Sequence, residues 1–328
     1  MQNKKPNLIF KILLNLIFFT LLILLLFLSY QLYLNIPRSP ENLNIKIHES
    51  ETEKTTLSNF ETKSEIKQFY PNMKFNHNQI SYKIAEDCEI EKKQRMIQAF
   101  DELSLKLNKI TFYPVLSNSD IEVICSQENK LNIDEKHFIA GEGGAKEIIQ
   151  TGEYYIITNG LIYLYDNVKG AKCDYPNVEL HELIHVFGFD HSTDKNSLMF
   201  PFLETCDQKL DDSIINKLNK LYSKENLPEL YFENISAIKK GKYLDFNLII
   251  KNSGSIDSKN ITLTILDNEK TIEHRDLGVF KFGSGISLHS TNLKLAHLNP
   301  KQIRFIIDKD NNVKELDENN NIANIKLK

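Results

Sequence analysis

His181-Glu182-Leu183-Ile184-His185-Val186-Phe187-Gly188-Phe189-Asp190-His191 has the pattern H-E-x-x-H-x-x-G-x-x-H. On a helix His181 and His185 lie one turn apart, so both imidazoles leave the same face and can share one Zn²⁺. Glu182 stands next to the first of them, within reach of a metal-bound water without being a ligand. Gly188 is the residue type that ends a helix in a left-handed conformation and turns the chain back. That turn lets His191 offer a third nitrogen. Three histidines leave a fourth position open, the arrangement of a catalytic zinc rather than a structural one. Five fixed residues at these spacings arise by accident in roughly one chain in 10⁴, taking each residue type at about one in twenty. A helix with two unrelated surface histidines is therefore the weaker reading.

Eight residues past His191, Met199 lies within Ser197-Leu198-Met199-Phe200-Pro201. Together the two stretches resemble the metzincin clan of zinc endopeptidases, and most closely its matrixin-like branch. The resemblance spans about residues 78–225 and is specific from Cys173 to Tyr222. It implies an α+β catalytic domain with a mixed twisted sheet, a long zinc helix and a Met-turn. His181, His185 and His191 would hold one catalytic Zn²⁺, Glu182 would be the general base, and Met199 would form the floor beneath the metal. Matrixins often carry a second, structural zinc, but the histidines for it are missing and His137 stands alone. No D-x-D-x-D-G loop is present, so a calcium requirement stays open. Latency through a prodomain cysteine is not expected, because no cysteine precedes Cys88.

The 328 residues have room for two ordinary domains besides a membrane segment. A net charge of −4 and a pI near 6.2 argue against nucleic acid as the main partner. Cys88, Cys125, Cys173 and Cys206 form no C-x-x-C pair, and four cysteines permit three connectivities. In an exported chain disulfides are favoured. Cys173 and Cys206 bracket the histidine helix and Met199, while Cys88 and Cys125 both come earlier, which favours pairing within each couple. Four free thiols are the alternative.

Lys4, Lys5 and Lys11 precede an uncharged run from Ile12 to Tyr30, long enough to cross a bilayer as a helix. Lysines before the segment hold residues 1–11 in the cytoplasm, so the rest faces outside. The expected organisation is a cytoplasmic tail (1–11), a transmembrane signal anchor (12–34), a flexible stalk (35–67), the metallopeptidase domain (68–225) and a β domain (226–328). A cleaved signal peptide is the competing reading. It would have an unusually long apolar region, and no small-x-small site follows in Leu28–Asn35. Residues 41–67 are charged and sparsely apolar, as a stalk would be.

Within the catalytic domain, Ile80–Ala85 reads as a strand and Met96, Phe100, Leu103 and Leu107 recur at helical spacing over 90–109. Thr111–Val115 and Asp120–Cys125 are short strand candidates. The order strand, helix, strand, strand is that of the metzincin upper lobe. Gly141-Glu142-Gly143-Gly144 follows in a glycine-rich stretch, which by analogy lies near the edge strand that pairs with a substrate backbone. Glu153–Thr158 and Leu161–Tyr165 predict a hairpin around Asn159-Gly160. Pro176 suits the first turn of the histidine helix. Leu210, Ile214, Leu218 and Leu221 form a closing helical stripe, with Asp211 as its N-cap.

From Leu227 onward the period changes to two: Leu244, Phe246, Leu248 and Ile250, then Ile261, Leu263 and Ile265, then Ile303, Phe305 and Ile307. This predicts an all-β sandwich. Its end, Val313-Lys-Glu-Leu-Asp-Glu-Asn-Asn-Asn-Ile322, resembles CARDB modules, immunoglobulin-like domains of prokaryotic surface proteins. The resemblances imply an endopeptidase, and the apolar run with its preceding lysines makes it a single-pass membrane protein with its catalytic domain outside the cytoplasm. It would hydrolyse peptide bonds with zinc-activated water, with a peptide or protein substrate and a possible surface ligand for the β module. The alternative from another class is a catalytically idle adhesion or scaffolding protein. It is disfavoured because all three ligands and the base are present.

Overall fold

The computed structural model describes residues 8–35, 41–42, 45–47, 66–127, 130–131, 138–166 and 173–326. The start of the tail, the Pro37–Pro40 stretch, residues 48–65 and His137 lie outside them.

Helix α1 runs from Leu8 to Asn35, 28 residues with none of its apolar window buried against the protein. At 1.5 Å per residue it is about 42 Å long, more than the roughly 30 Å of a bilayer core. It is long and apolar enough to cross a membrane, as a signal sequence also is.

Two short strands follow, β1 (Glu41–Asn42) and β2 (Ile45–Ile47). They fall within the stretch expected to be a flexible stalk. Instead β1 pairs with the β domain at Ile238–Lys239, and β2 pairs with it at Ala323–Ile325. This part of the expected stalk is ordered by strand addition, a tertiary effect with no local sequence signal.

The first domain is a mixed sheet packed with three helices. Its strands are β3 (Met73–Lys74), β4 (Gln79–Ile84), β5 (Thr111–Pro114), β6 (Ile121–Cys125), β9 (Gly141–Thr151) and β10 (Tyr154–Leu164). A separate ribbon pairs β7 (Lys130–Leu131) with β8 (Phe138–Ile139). β5, β4, β6 and β10 are parallel neighbours, β3 lies parallel along the start of β10, and β9 closes the edge antiparallel to β10. Helix α2 (Ile90–Lys106) buries Met96, Ala99, Phe100 and Leu103 on the sheet, with Phe100 stacked on Tyr82 at 4.0 Å between centroids. The 3.6-residue spacing of these apolar side chains sets which face turns inward. The same core takes in Leu180, Leu183, Ile184 and Phe187 of the histidine helix and Ile214, Leu218 and Leu221 of the closing helix. Disulfides join Cys88 to Cys125, tying the approach to α2 to the end of β6, and Cys173 to Cys206, across the histidine helix and Met199.

One expectation fails here. Asn159-Gly160 is not a turn: β10 runs straight through it, with only a register irregularity, and the reversal comes at Gly152-Glu153. Gly160 is needed for packing, since a Cβ there would lie 2.4 Å from Val186 Cγ1. The glycine-rich 141–144 stretch, expected near the edge strand, forms the start of that strand.

The C-terminal domain is a two-sheet sandwich. One sheet has the order β1, β11 (Leu230–Lys240), β12 (Tyr243–Asn252), β15 (Gly285–Lys294). The other has β14 (Lys270–Val279), β13 (Asn260–Asp267), β16 (Gln302–Ile307), β17 (Ile322–Lys326), β2. The alternating Leu244, Phe246, Leu248 and Ile250 face Ile261, Leu263, Ile265, Ile303, Phe305 and Ile307 across one core, as period two requires. The domains touch where Thr151 Oγ1 donates to Gly254 O at 2.7 Å, and buried Lys74 Nζ to Asn226 Oδ1 at 2.8 Å.

Candidate metal centre

Helix α3 (Asn177–Val186) carries His181, Glu182 and His185. Its placement is fixed at both ends. At its start, Arg95 of α2 donates to both oxygens of Glu179 (2.9 and 3.1 Å) and to the carbonyls of Cys173 and Tyr175. At its end Gly188 adopts φ +83° with its N–H donating to His185 O, and a Cβ there would meet Met73 Sδ at 2.2 Å. Only glycine combines that φ with that contact. The chain then doubles back, held by Asp190 N donating to Lys67 O and by Ser192 N donating to Met199 O. His191 is thereby brought opposite His185, ring centroids 4.7 Å apart.

The three Nε2 atoms converge. His185 Nε2 lies 3.0 Å from His181 Nε2 and 3.2 Å from His191 Nε2. His181 Nδ1 is 2.7 Å from Leu198 O, and His185 Nδ1 is 2.7 Å from Phe189 O. A carbonyl only accepts, so each of these Nδ1 atoms carries the proton and each Nε2 is a bare lone pair. Bare lone pairs at such separations repel one another unless a cation lies between them. The donor set therefore fits a metal ion, and among the described residues this is the one histidine, cysteine or carboxylate group that meets at ligand spacing. His185 is buried, His181 half-buried and His191 exposed, so the site opens on the His191 side.

Burial pushes His181 down to about 3, aided by neighbouring His185, and lowers His185 and His191 as well. All three are neutral at physiological pH, as ligands must be. Burial, followed by the charge of Glu142, pushes the Glu182 carboxyl up to about 8, while the Gly143 N–H is bonded to it and works against the rise. Met199 is fully buried, its N–H bonded to Ser197 Oγ at 3.0 Å. Ser197 Oγ in turn donates to Asp211, so the residue expected to cap the closing helix α4 (Asp212–Ser223) makes no side-chain cap bond and braces this turn.

Sequence reasoning missed the seat of α3. Gly141 and Gly143 lie under Glu182: a Cβ on Gly141 would stand 2.7 Å from Glu182 Cγ, and one on Gly143 2.1 Å from Glu182 O. Glycines two apart share one face of a strand, so their spacing was a signal for close backbone approach. Arg95 carried no signal, because its partner is 84 residues away.

The family model for matrixin matches residues 74–223, and that for CARDB matches residues 228–325. No curated protein matches the chain. Among solved structures, a crystal structure of the CARDB domain of a Pyrococcus furiosus protein, in complex with di-metal ions, is 19% identical. That alignment covers 31% of this chain and 87% of that one, with a TM-score of 0.26. A solution NMR structure of the same domain is 19% identical, covering 31% of this chain and 94% of that one, with a TM-score of 0.27. The chain therefore combines a matrixin-like domain, of metallopeptidase type, with a CARDB-like β-sandwich.

Proposed function

We propose that the chain is a membrane-anchored zinc endopeptidase whose catalytic domain lies outside the cytoplasm. The observation that carries this is the convergence of three histidine Nε2 atoms, two with their tautomers set by carbonyls, beside buried Glu182. His181, His185 and His191 would hold the zinc. When bound, the ion would supply Lewis-acid activation of water and of the scissile carbonyl.

The protein's own groups do the rest. Glu182 takes a proton from the attacking water and passes it to the leaving amine. A cation held by the three histidines favours the ionised carboxylate against the burial that raises its pKa. Strand β9 is the sheet edge beside α3, and among the described residues it pairs only with β10. An extended peptide laid against its free edge gains main-chain hydrogen bonds and is carried past Glu182. Helix α1 anchors the chain, with Lys4, Lys5 and Lys11 on its cytoplasmic side. The test is metal content and cleavage of a mixed peptide library by the full chain. One zinc per chain, with cleavage lost to a chelator and restored by zinc, is expected. Cleavage that survives complete metal removal would reject the reading.

A further inference from the structure

The two ends of the sandwich differ, and the chain leaving α1 joins one of them. β1 places Glu41 opposite Lys239, only six residues after Asn35. Six Cα–Cα steps at full extension span about 20 Å. The same end carries the β11–β12 turn with Lys240 and Lys242, Lys294 at the end of β15 opposite Tyr243, Lys270 at the start of β14, and Lys301 just before β16. Loop 295–301 joins the sheets there: Leu295 N donates to Lys242 O, and His297 N to Asp267 Oδ2 at 2.8 Å.

Lys240, Lys270, Lys294 and Lys301 are exposed and Lys242 is half-buried. The neighbouring acids are engaged, Asp245 with Lys240, Asp267 with His297, and Glu269 with Arg304. Among the described residues Lys242, Lys270, Lys294 and Lys301 take part in no ion pair. The opposite end meets the first domain through Thr151 and Gly254, and there Lys259, Lys281, Lys309 and Lys314 are outnumbered by Glu229, Asp257, Asp308, Asp310, Glu315, Asp317 and Glu318. In a chain of net charge −4, the end next to α1 carries an excess of lysines over acids, four of them outside any ion pair among the described residues.

We propose that this lysine-rich end docks on the anionic phospholipid headgroups of the bilayer that α1 spans. The sandwich then lies against the membrane and holds the metal centre roughly a strand length, about 30 Å, or more from the lipid. This rests on the reading of α1 as an anchor. Each lysine near an anionic surface strengthens attraction by about fivefold, and the effect fades beyond a Debye length.

The test uses the full chain in vesicles of phosphatidylcholine alone or with added phosphatidylglycerol. A fluorophore at Asn299→Cys reports contact with a headgroup-linked quencher. Quenching is expected with phosphatidylglycerol only, lost in high salt. In Lys242→Ala/Lys294→Ala/Lys301→Ala the docked-to-undocked ratio should fall roughly 100-fold. Equal quenching on both vesicles, or quenching indifferent to salt or to the triple variant, overturns the proposal. Alkaline extraction from neutral vesicles tests the anchor separately. A chain that is extracted contradicts the anchor, yet salt-sensitive quenching on anionic vesicles would still uphold the docking surface and its absence would reject it.

Discussion

Gly143 lies so close beneath Glu182 that a Cβ on it would stand 2.1 Å from the Glu182 carbonyl oxygen, and its N–H is bonded to the Glu182 carboxyl. The edge strand and the helix bearing Glu182 are thus one mechanical unit.

Gly143→Ala should push β9 away from α3. Overpacking of this kind costs about 1–3 kcal/mol, and we expect peptide cleavage to fall at least about tenfold, since small misplacements at a reacting centre are costly. Gly144→Ala is the control, because nothing lies within 4 Å of a Cβ there. Thermal melts and kcat/KM of the two variants decide the matter: equal behaviour would show that the contact is unimportant.

Arg95→Ala should leave the buried Glu179 carboxylate without its guanidinium, and the Cys173 and Tyr175 carbonyls without a donor. Breaking such a pair costs about 3–5 kcal/mol, with Arg95 a quarter exposed placing this at the lower end. The double variant Arg95→Met/Glu179→Leu should recover part of the loss, which denaturant titration would show.

The metal-free protein should respond to pH through Glu182 and the histidines in opposite senses. Glu182 has its folded pKa raised to about 8, so the stability it contributes is fully present below its unfolded value near 4.5 and is lost as pH rises through 8. Glu182→Gln should therefore gain stability over the wild type, on the order of a few kcal/mol, between pH 5 and 9. The histidines have lowered folded values, so their contribution is complete above about 6.5 and is lost as pH falls. Melting temperatures of both proteins across that range check the signs; parallel curves would contradict the burial of Glu182.

Much of this was legible in the residues. The helix bearing His181 and His185, the stripe of Met96, Phe100 and Leu103, and the alternation from Leu244 to Ile307 are local periodicities, and local periodicity sets which face is buried. What escaped reading was set by contacts distant in sequence. Asn159-Gly160 has the composition of a turn, yet Gly160 serves Val186, and β10 passes through. Lys74 Nζ is buried against Leu221 O and Asn226 Oδ1, 147 and 152 residues on, and burial lowers its pKa to about 8. The strands at 41–47 exist only because β11 and β17 offer free edges.

The central claim is that three histidines hold a zinc ion and that Glu182 moves the proton. Zinc stoichiometry and peptide turnover, measured side by side on wild type, Glu182→Ala and His185→Ala, test it most directly. The account expects one zinc and turnover in the wild type, one zinc with turnover reduced by several orders of magnitude in Glu182→Ala, and neither in His185→Ala. Near-normal turnover in Glu182→Ala, or full zinc retention in His185→Ala, would contradict it.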